Sequence, residues 1–291
     1  MTFWQNLNYK VFKSGNKLFL LIGINVIVFL LINVPGVFER LILRSDLIVG
    51  YTTEFLALPA YLPKLLVRFW TPFTYMFMHA SVLHILFNML WLYWMGQIFE
   101  EFLGNRRITG LYLLGGLAGA IFFIAAYNLF PLFTESSAVM NATVVGGSAS
   151  VMAVIVGAAT IAPNYSIPLL LIGPVRLKWL VLFYVVLDFL GVTGPNAGGQ
   201  IAHLGGALMG FVYVSQLKKG NDWIAWIANL FKRKSKLKVA SNNTTKRAEA
   251  SSKPRQDEID RILDKISQTG YEKLSQQEKE TLFRASKHEE K

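Results

Sequence analysis

Four polar side chains in this sequence stand inside apolar runs where water is scarce: Ser148, His203, His84 and Asn88. Ser148 follows Gly146 and Gly147 and opens the run Ala149 to Ala159. A helix beginning there offers unpaired backbone N–H groups, and two glycines let a carbonyl approach that backbone closely. Ser148 is therefore a candidate nucleophile with an oxyanion site beside it. Small residues also serve simply to let membrane helices touch, so the serine by itself has a structural explanation too. His203 supplies a candidate partner. It is embedded in Gly199-x-x-x-His203-x-x-Gly206-x-x-x-Gly210, a stripe on one helical face that can be pressed against another thin helix. If that helix is the one led by Ser148, the two side chains come within reach of a proton transfer, about 2.6–3.2 Å. His84 and Asn88, four residues apart, share a face of a third helix. They are either helix-to-helix ties or donors to a site.

The elements that must hold these groups are membrane helices. Of the 291 residues, 53% are hydrophobic, and six runs approach the roughly 20 apolar residues that a bilayer core requires. They lie at about 18–34, 82–99, 109–129, 145–162, 168–190 and 199–217, an all-α polytopic design. The first is too long for a cleavable leader and no small-residue cleavage pattern follows it. Lys10, Lys13 and Lys17 precede the first span, Arg106 and Arg107 follow the second, and Arg176 and Lys178 precede the fifth. Residues 130–144 and 191–198 carry no Lys or Arg, so the positive-inside rule puts both termini in the cytoplasm. The long segment 35–81 mixes apolar, Pro and charged residues and reads as a structured outward element rather than a plain connection. In the third span, Gly115, Gly116, Ala118, Gly119 and Ala120 form a close-packing surface without chemistry.

The formal charge of +11 is concentrated after residue 210, where 18 of the 29 Lys and Arg fall. Because these residues directly follow a span, topology and contact with anionic lipid explain them, and nucleic acid is not an expected partner. Three segments are expected: a six-helix domain at 1–220, a basic linker at 221–256, and a small helical hairpin at 257–291. In the hairpin, Ile259, Ile262, Leu263 and Ile266 form one stripe, and Ser275 with Glu278 is a capping-box signature. It is too small to bury much alone and is expected to dock on the cytoplasmic face or on a partner that its sequence does not identify. With no cysteine, thiolate chemistry and disulfides are excluded; the histidines lack acidic companions, so no metal site and no cofactor is expected.

Ser148 at the head of one span, His203 in its glycine stripe and His84-x-x-x-Asn88 in another, in this order, resemble the rhomboid family of intramembrane serine proteases over roughly residues 15–217. The resemblance implies a six-helix rhomboid-like bundle with Ser148 as nucleophile, His203 as general base, and His84 and Asn88 as stabilisers of the oxyanion. It implies other transmembrane proteins as substrates and a place in a bacterial inner membrane, since the tail is similar to one found on some bacterial rhomboids. Three positions depart from the family pattern. Ala149 stands where a glycine follows the serine, Met152 where many members have a tyrosine stacked on the histidine, and Trp70-Thr71 where a Trp-Arg pair is common. No third carboxylate is required; Asp188, at the outward end of the fifth span, is the only embedded acid that could orient His203, and a helix-end role is preferred for it. A non-cleaving rhomboid-like binder of transmembrane helices is the alternative, which the presence of both Ser148 and His203 disfavours. A transporter would call for internal repeats, which the sequence lacks.

Overall fold

The first long helix begins where Asn16 accepts the Phe19 N–H at 2.9 Å. In this computed structural model, which describes residues 2–134, 136–169, 173–230 and 256–289, the chain divides into two units after Lys232. A short helix α1 (Phe3–Asn8) and a π-helical turn precede the capped helix, α2 (Lys17–Leu43). The apolar run at 18–34 understated α2, which continues through Pro35 because Val37, Phe38, Leu41, Ile42 and Leu43 are still apolar. It stops at Arg44, whose φ of 52° turns the chain into the left-handed region. Glu39 then caps the next helix, α3 (Leu47–Leu56), accepting the Leu47 and Ile48 N–H groups at 2.9 and 2.8 Å.

Segment 35–81 is structured, as its composition suggested. After α3 come β1 (Leu58–Pro59), α4 (Leu62–Val67), α5 (Thr71–Thr74) and a 3₁₀ turn at Tyr75–Phe77. Arg68 binds Glu54 at 2.6 Å and Lys64 does so at 3.3 Å. The Arg68 hydrogen bond is the main reason the Glu54 carboxyl is held below its ordinary range. Trp70 donates its indole N–H to the Phe55 carbonyl at 2.8 Å.

Five further helices complete the membrane bundle. They are α6 (Val82–Leu103), α7 (Asn105–Leu129), α9 (Ser148–Ile161), α10 (Leu177–Leu190) and α11 (Ala197–Lys218), with a short α8 (Ser136–Asn141) between α7 and α9. By length and composition alone, α2, α6 and α7 are long and apolar enough to cross a membrane. The fold is an all-α polytopic membrane bundle, and its centre is α9. Every residue from Ala149 to Ala159 in α9 is buried, and α9 packs against α6, α7, α10 and α11. The small-residue face of α7 is what admits it: a Cβ on Gly115 would stand 2.3 Å from the Ala153 Cβ, and one on Gly119 2.6 Å from the Ala149 Cβ.

Two further boundaries differ from the sequence reading. The run at 168–190 is not one helix: β3 (Ser166–Leu169) and β4 (Gly173–Arg176) pair antiparallel, and only Leu177–Leu190 is helical. Pro168 and Pro174 cannot donate to a helix ladder, and Gly173 has φ 83°, so an apolar run that looked continuous is broken by backbone chemistry. The expected linker at 221–256 begins with a helix, α12 (Trp223–Leu230), since Asp222 accepts the Ala225 N–H at 3.0 Å, and Ile224 packs over Gly110 of α7. Residues 231–255 of that linker lie outside the described residues.

The second unit holds helices Gln256–Thr269 and Gln276–Glu289. Its capping box is formed on both sides, with the Ser275 N–H on Glu278 Oε2 at 2.8 Å and the Glu278 N–H on Ser275 Oγ at 3.3 Å. Ile262 and Leu274 are its buried apolar residues.

Candidate active site

Ser148 is the first residue of α9, and its neighbours explain the glycines before it. The first intrahelical bond runs from the Val151 N–H to the Gly147 carbonyl at 2.8 Å, so the N–H groups of Ser148, Ala149 and Ser150 have no helical acceptor. Gly146 has φ 134°, a region that disfavours any side chain, and a Cβ there would lie 2.9 Å from His84 Nε2. At Gly147 a Cβ would stand 2.5 Å from the Tyr112 hydroxyl and 2.8 Å from the Met76 carbonyl. The segment leading to the serine is held from outside as well. β2 (Thr143–Val144) pairs with β1, Leu58 opposite Val144, and the Gly146 N–H donates to the Tyr75 carbonyl at 3.0 Å.

His203 is carried by α11, which meets α9 at backbone distance. A Cβ on Gly206 would lie 2.0 Å from the Ala149 carbonyl oxygen, and one on Gly210 2.3 Å from that of Ala153. Gly199 does something else. A Cβ there would meet the Asn196 side chain at 2.7 Å, so this glycine opens space beside the site rather than seating α11 on α9. The glycine stripe therefore works as a contact at two of its three positions, because Gly199 lies past the end at which α9 starts.

Ser148, His203, His84 and Asn88 line one cavity of about 490 Å³, together with Gly199, Asn196, Val145, Trp91 and Tyr184. A larger groove of about 800 Å³ between α9, α10 and α11 is lined by neither histidine nor acid. Ser148 and His203 face the shared cavity with no direct hydrogen bond between them among the described residues. His84 Nδ1 accepts the Ala80 N–H at 3.4 Å, which puts the neutral ring's proton on Nε2, the nitrogen beside Gly146. The Asn88 amide, on the same face of α6, makes no hydrogen bond among the described residues and is free to donate. Met152 is fully buried in α9.

The structure favours the less preferred reading of Asp188, whose Oδ1 lies 3.0 Å from His203 Nδ1, and adds two residues that the sequence reading missed. The signal for Asp188 is that it is the one acid in α10, a helix whose other charged residue, Lys178, sits at the opposite end. His79 is buried, edge to face with His84 at 5.2 Å between ring centroids, and burial with the nearby His84 lowers its pKa to about 4. Tyr184 of α10 stacks on Trp91 of α6 at 5.9 Å and closes one wall of the cavity.

Comparison with known proteins gives two matched regions. Residues 67–219 match the family described as the Rhomboid domain, and residues 247–288 match a family of unknown function (DUF6576). Among curated proteins, the RHOMBOID-like protein 12, mitochondrial, of Arabidopsis thaliana is 28% identical over 162 residues. Those residues are 53% of this chain and 48% of that protein, so the chain spans about half the length of the relative.

Proposed function

This chain belongs to the rhomboid family and is an integral membrane protein, and from its site we propose that it is an intramembrane serine endopeptidase. The observation that carries the reading is Ser148 at the unpaired N-terminus of a buried helix, sharing a cavity with a histidine whose other ring nitrogen is already held. A carboxylate oxygen can only accept, so His203 Nδ1 bears the proton and Nε2 is left to act as base. In the proposed reaction His203 Nε2 takes the Ser148 hydroxyl proton as Oγ attacks the scissile carbonyl. The oxyanion is received by the Ser148 N–H, His84 Nε2–H and the Asn88 amide. His203 then gives its proton to the leaving amine, and water hydrolyses the Ser148 ester by the same base.

The substrates are transmembrane segments of other membrane proteins, because the cavity lies within a bundle whose surroundings are apolar. Lysines flanking the start of α2 and the end of α11 support the proposed orientation, with both termini in the cytoplasm; the proposed setting is a bacterial inner membrane and its lipids.

Labelling with a fluorophosphonate, and co-expression with single-span membrane proteins, test the reading. Wild type should label and release a fragment that neither Ser148→Ala nor His203→Ala produces. If the wild type does neither while remaining folded, the chain is a non-cleaving rhomboid-like binder instead.

A further inference from the structure

Asp188 occupies an unfavourable place. It lies in the last turn of α10, where a negative charge opposes the helix dipole, and only 6% of the residue is exposed. Its Oδ2 is buried without a hydrogen-bond partner. A carboxylate in such surroundings is costly unless something nearby needs it. What faces it is the imidazole of His203, with Nδ1 3.0 Å from Oδ1 and the two side chains 13% and 8% exposed. The chain brings them together by a tight connection. After α10 a 3₁₀ turn at Gly191–Thr193 is closed by the Gly194 N–H on the Gly191 carbonyl at 2.8 Å, and the Ala197 N–H on the Gly194 carbonyl at 3.1 Å starts α11. The end of α10 and the first turns of α11 are thereby set side by side.

We propose that Asp188 is a positioning residue for His203, so that the working unit is Ser148, His203 and Asp188 rather than a serine and histidine alone. The proposal rests on the serine-protease reading above. Asp188 Oδ1 accepts the Nδ1 proton and fixes the tautomer with Nε2 bare and aimed into the cavity. When Nε2 takes the Ser148 proton, the imidazolium forms beside a carboxylate that stays unprotonated throughout, and the proton leaves again with the amine. Among the described residues, the other titratable groups lining that cavity are His84 of α6 and Tyr184 of α10; α9 contributes only Ser148. Asp188 is therefore the negative charge available to the imidazolium.

The test compares full-length wild type, Asp188→Asn and Asp188→Ala in detergent, measuring kcat, KM and the melting temperature. An asparagine can donate its amide to Nδ1 and force the proton onto Nε2. The expected result is a kcat lower by about 10²- to 10⁴-fold, in line with removal of a triad carboxylate elsewhere. KM should be little changed, because a group that only orients the base acts in the chemical step. Near wild-type kcat in both variants overturns the proposal. So does an activity loss that merely follows a fall in melting temperature. A readout independent of turnover is the ¹⁵N-histidine spectrum of the Ser148→Ala protein, with His203 assigned by its loss in His203→Gln. A proton on Nδ1 supports the contact, and an unprotonated Nδ1 sinks it. If wild type fails to label with a fluorophosphonate, the protease reading falls separately, and this spectrum still decides the Asp188 contact.

Discussion

Replacing Gly206 by alanine should separate the proposed reacting pair, Ser148 and His203, without touching either member. The added Cβ would lie 2.0 Å from the Ala149 carbonyl oxygen, whereas ordinary contact begins at 3.4 Å. The acceptor is helix backbone and cannot swing aside, so α11 and α9 must part by about 1.4 Å, the difference of those two distances. Ala149 follows the serine directly and Gly206 lies one turn after His203, so the parting falls on the reaction coordinate. A displacement of about 1 Å at a catalytic pair costs about 100-fold in rate, and forcing a methyl into a packed contact costs about 1–3 kcal/mol of stability. The assay is fluorophosphonate labelling of Ser148 together with cleavage of a substrate cut by the parent, with melting temperature measured on the same samples. Gly50→Ala is the control, because a Cβ there meets nothing within 4 Å. If Gly206→Ala cleaves within about threefold of wild type at an unchanged melting temperature, the argument that this glycine sets the distance between the two helices is refuted.

His84→Ala and Asn88→Ala should each lower kcat by up to about 100- to 1000-fold with KM little affected, since oxyanion donors act in the transition state. A loss explained by melting temperature would instead mark the pair as a helix tie. In the tail, the Lys265 hydrogen bond, followed by the Ser275 N–H, lowers the Glu278 pKa to about 2. Its contribution to hairpin stability is thus complete above the unfolded carboxyl value of about 4.3 and is lost as pH falls towards 2, which side-chain carboxyl NMR of the full chain will follow. Removing residues 233–291 should leave a membrane protein that still labels at Ser148, because every reacting group lies before residue 219. A truncated protein that keeps its melting temperature but loses labelling would place the tail in the catalytic unit.

The sequence by itself determined the apolar helices and the face each polar group occupies, because periodicity ties side-chain direction to chain position once a segment is helical. Ser148 at a glycine-led helix start, His84 and Asn88 four apart, and Gly206 and Gly210 on the side of His203 could all be read this way. The same logic failed at 168–190, where prolines and a positive-φ glycine broke an apolar run into a hairpin and a 14-residue helix. At about 1.5 Å per residue, α10 is then roughly 21 Å long, so the depth of Asp188 could not be derived from an assumed full span. Tertiary structure alone decided what each polar atom meets. Gly199 faces Asn196 rather than α9, His79 ends beneath His84, and Asp188 turns to His203 across a short connection. Hydropathy fixes which residues leave water, but a hydrogen bond requires two groups to agree within a few tenths of an ångström, and that agreement is set by how helices cross.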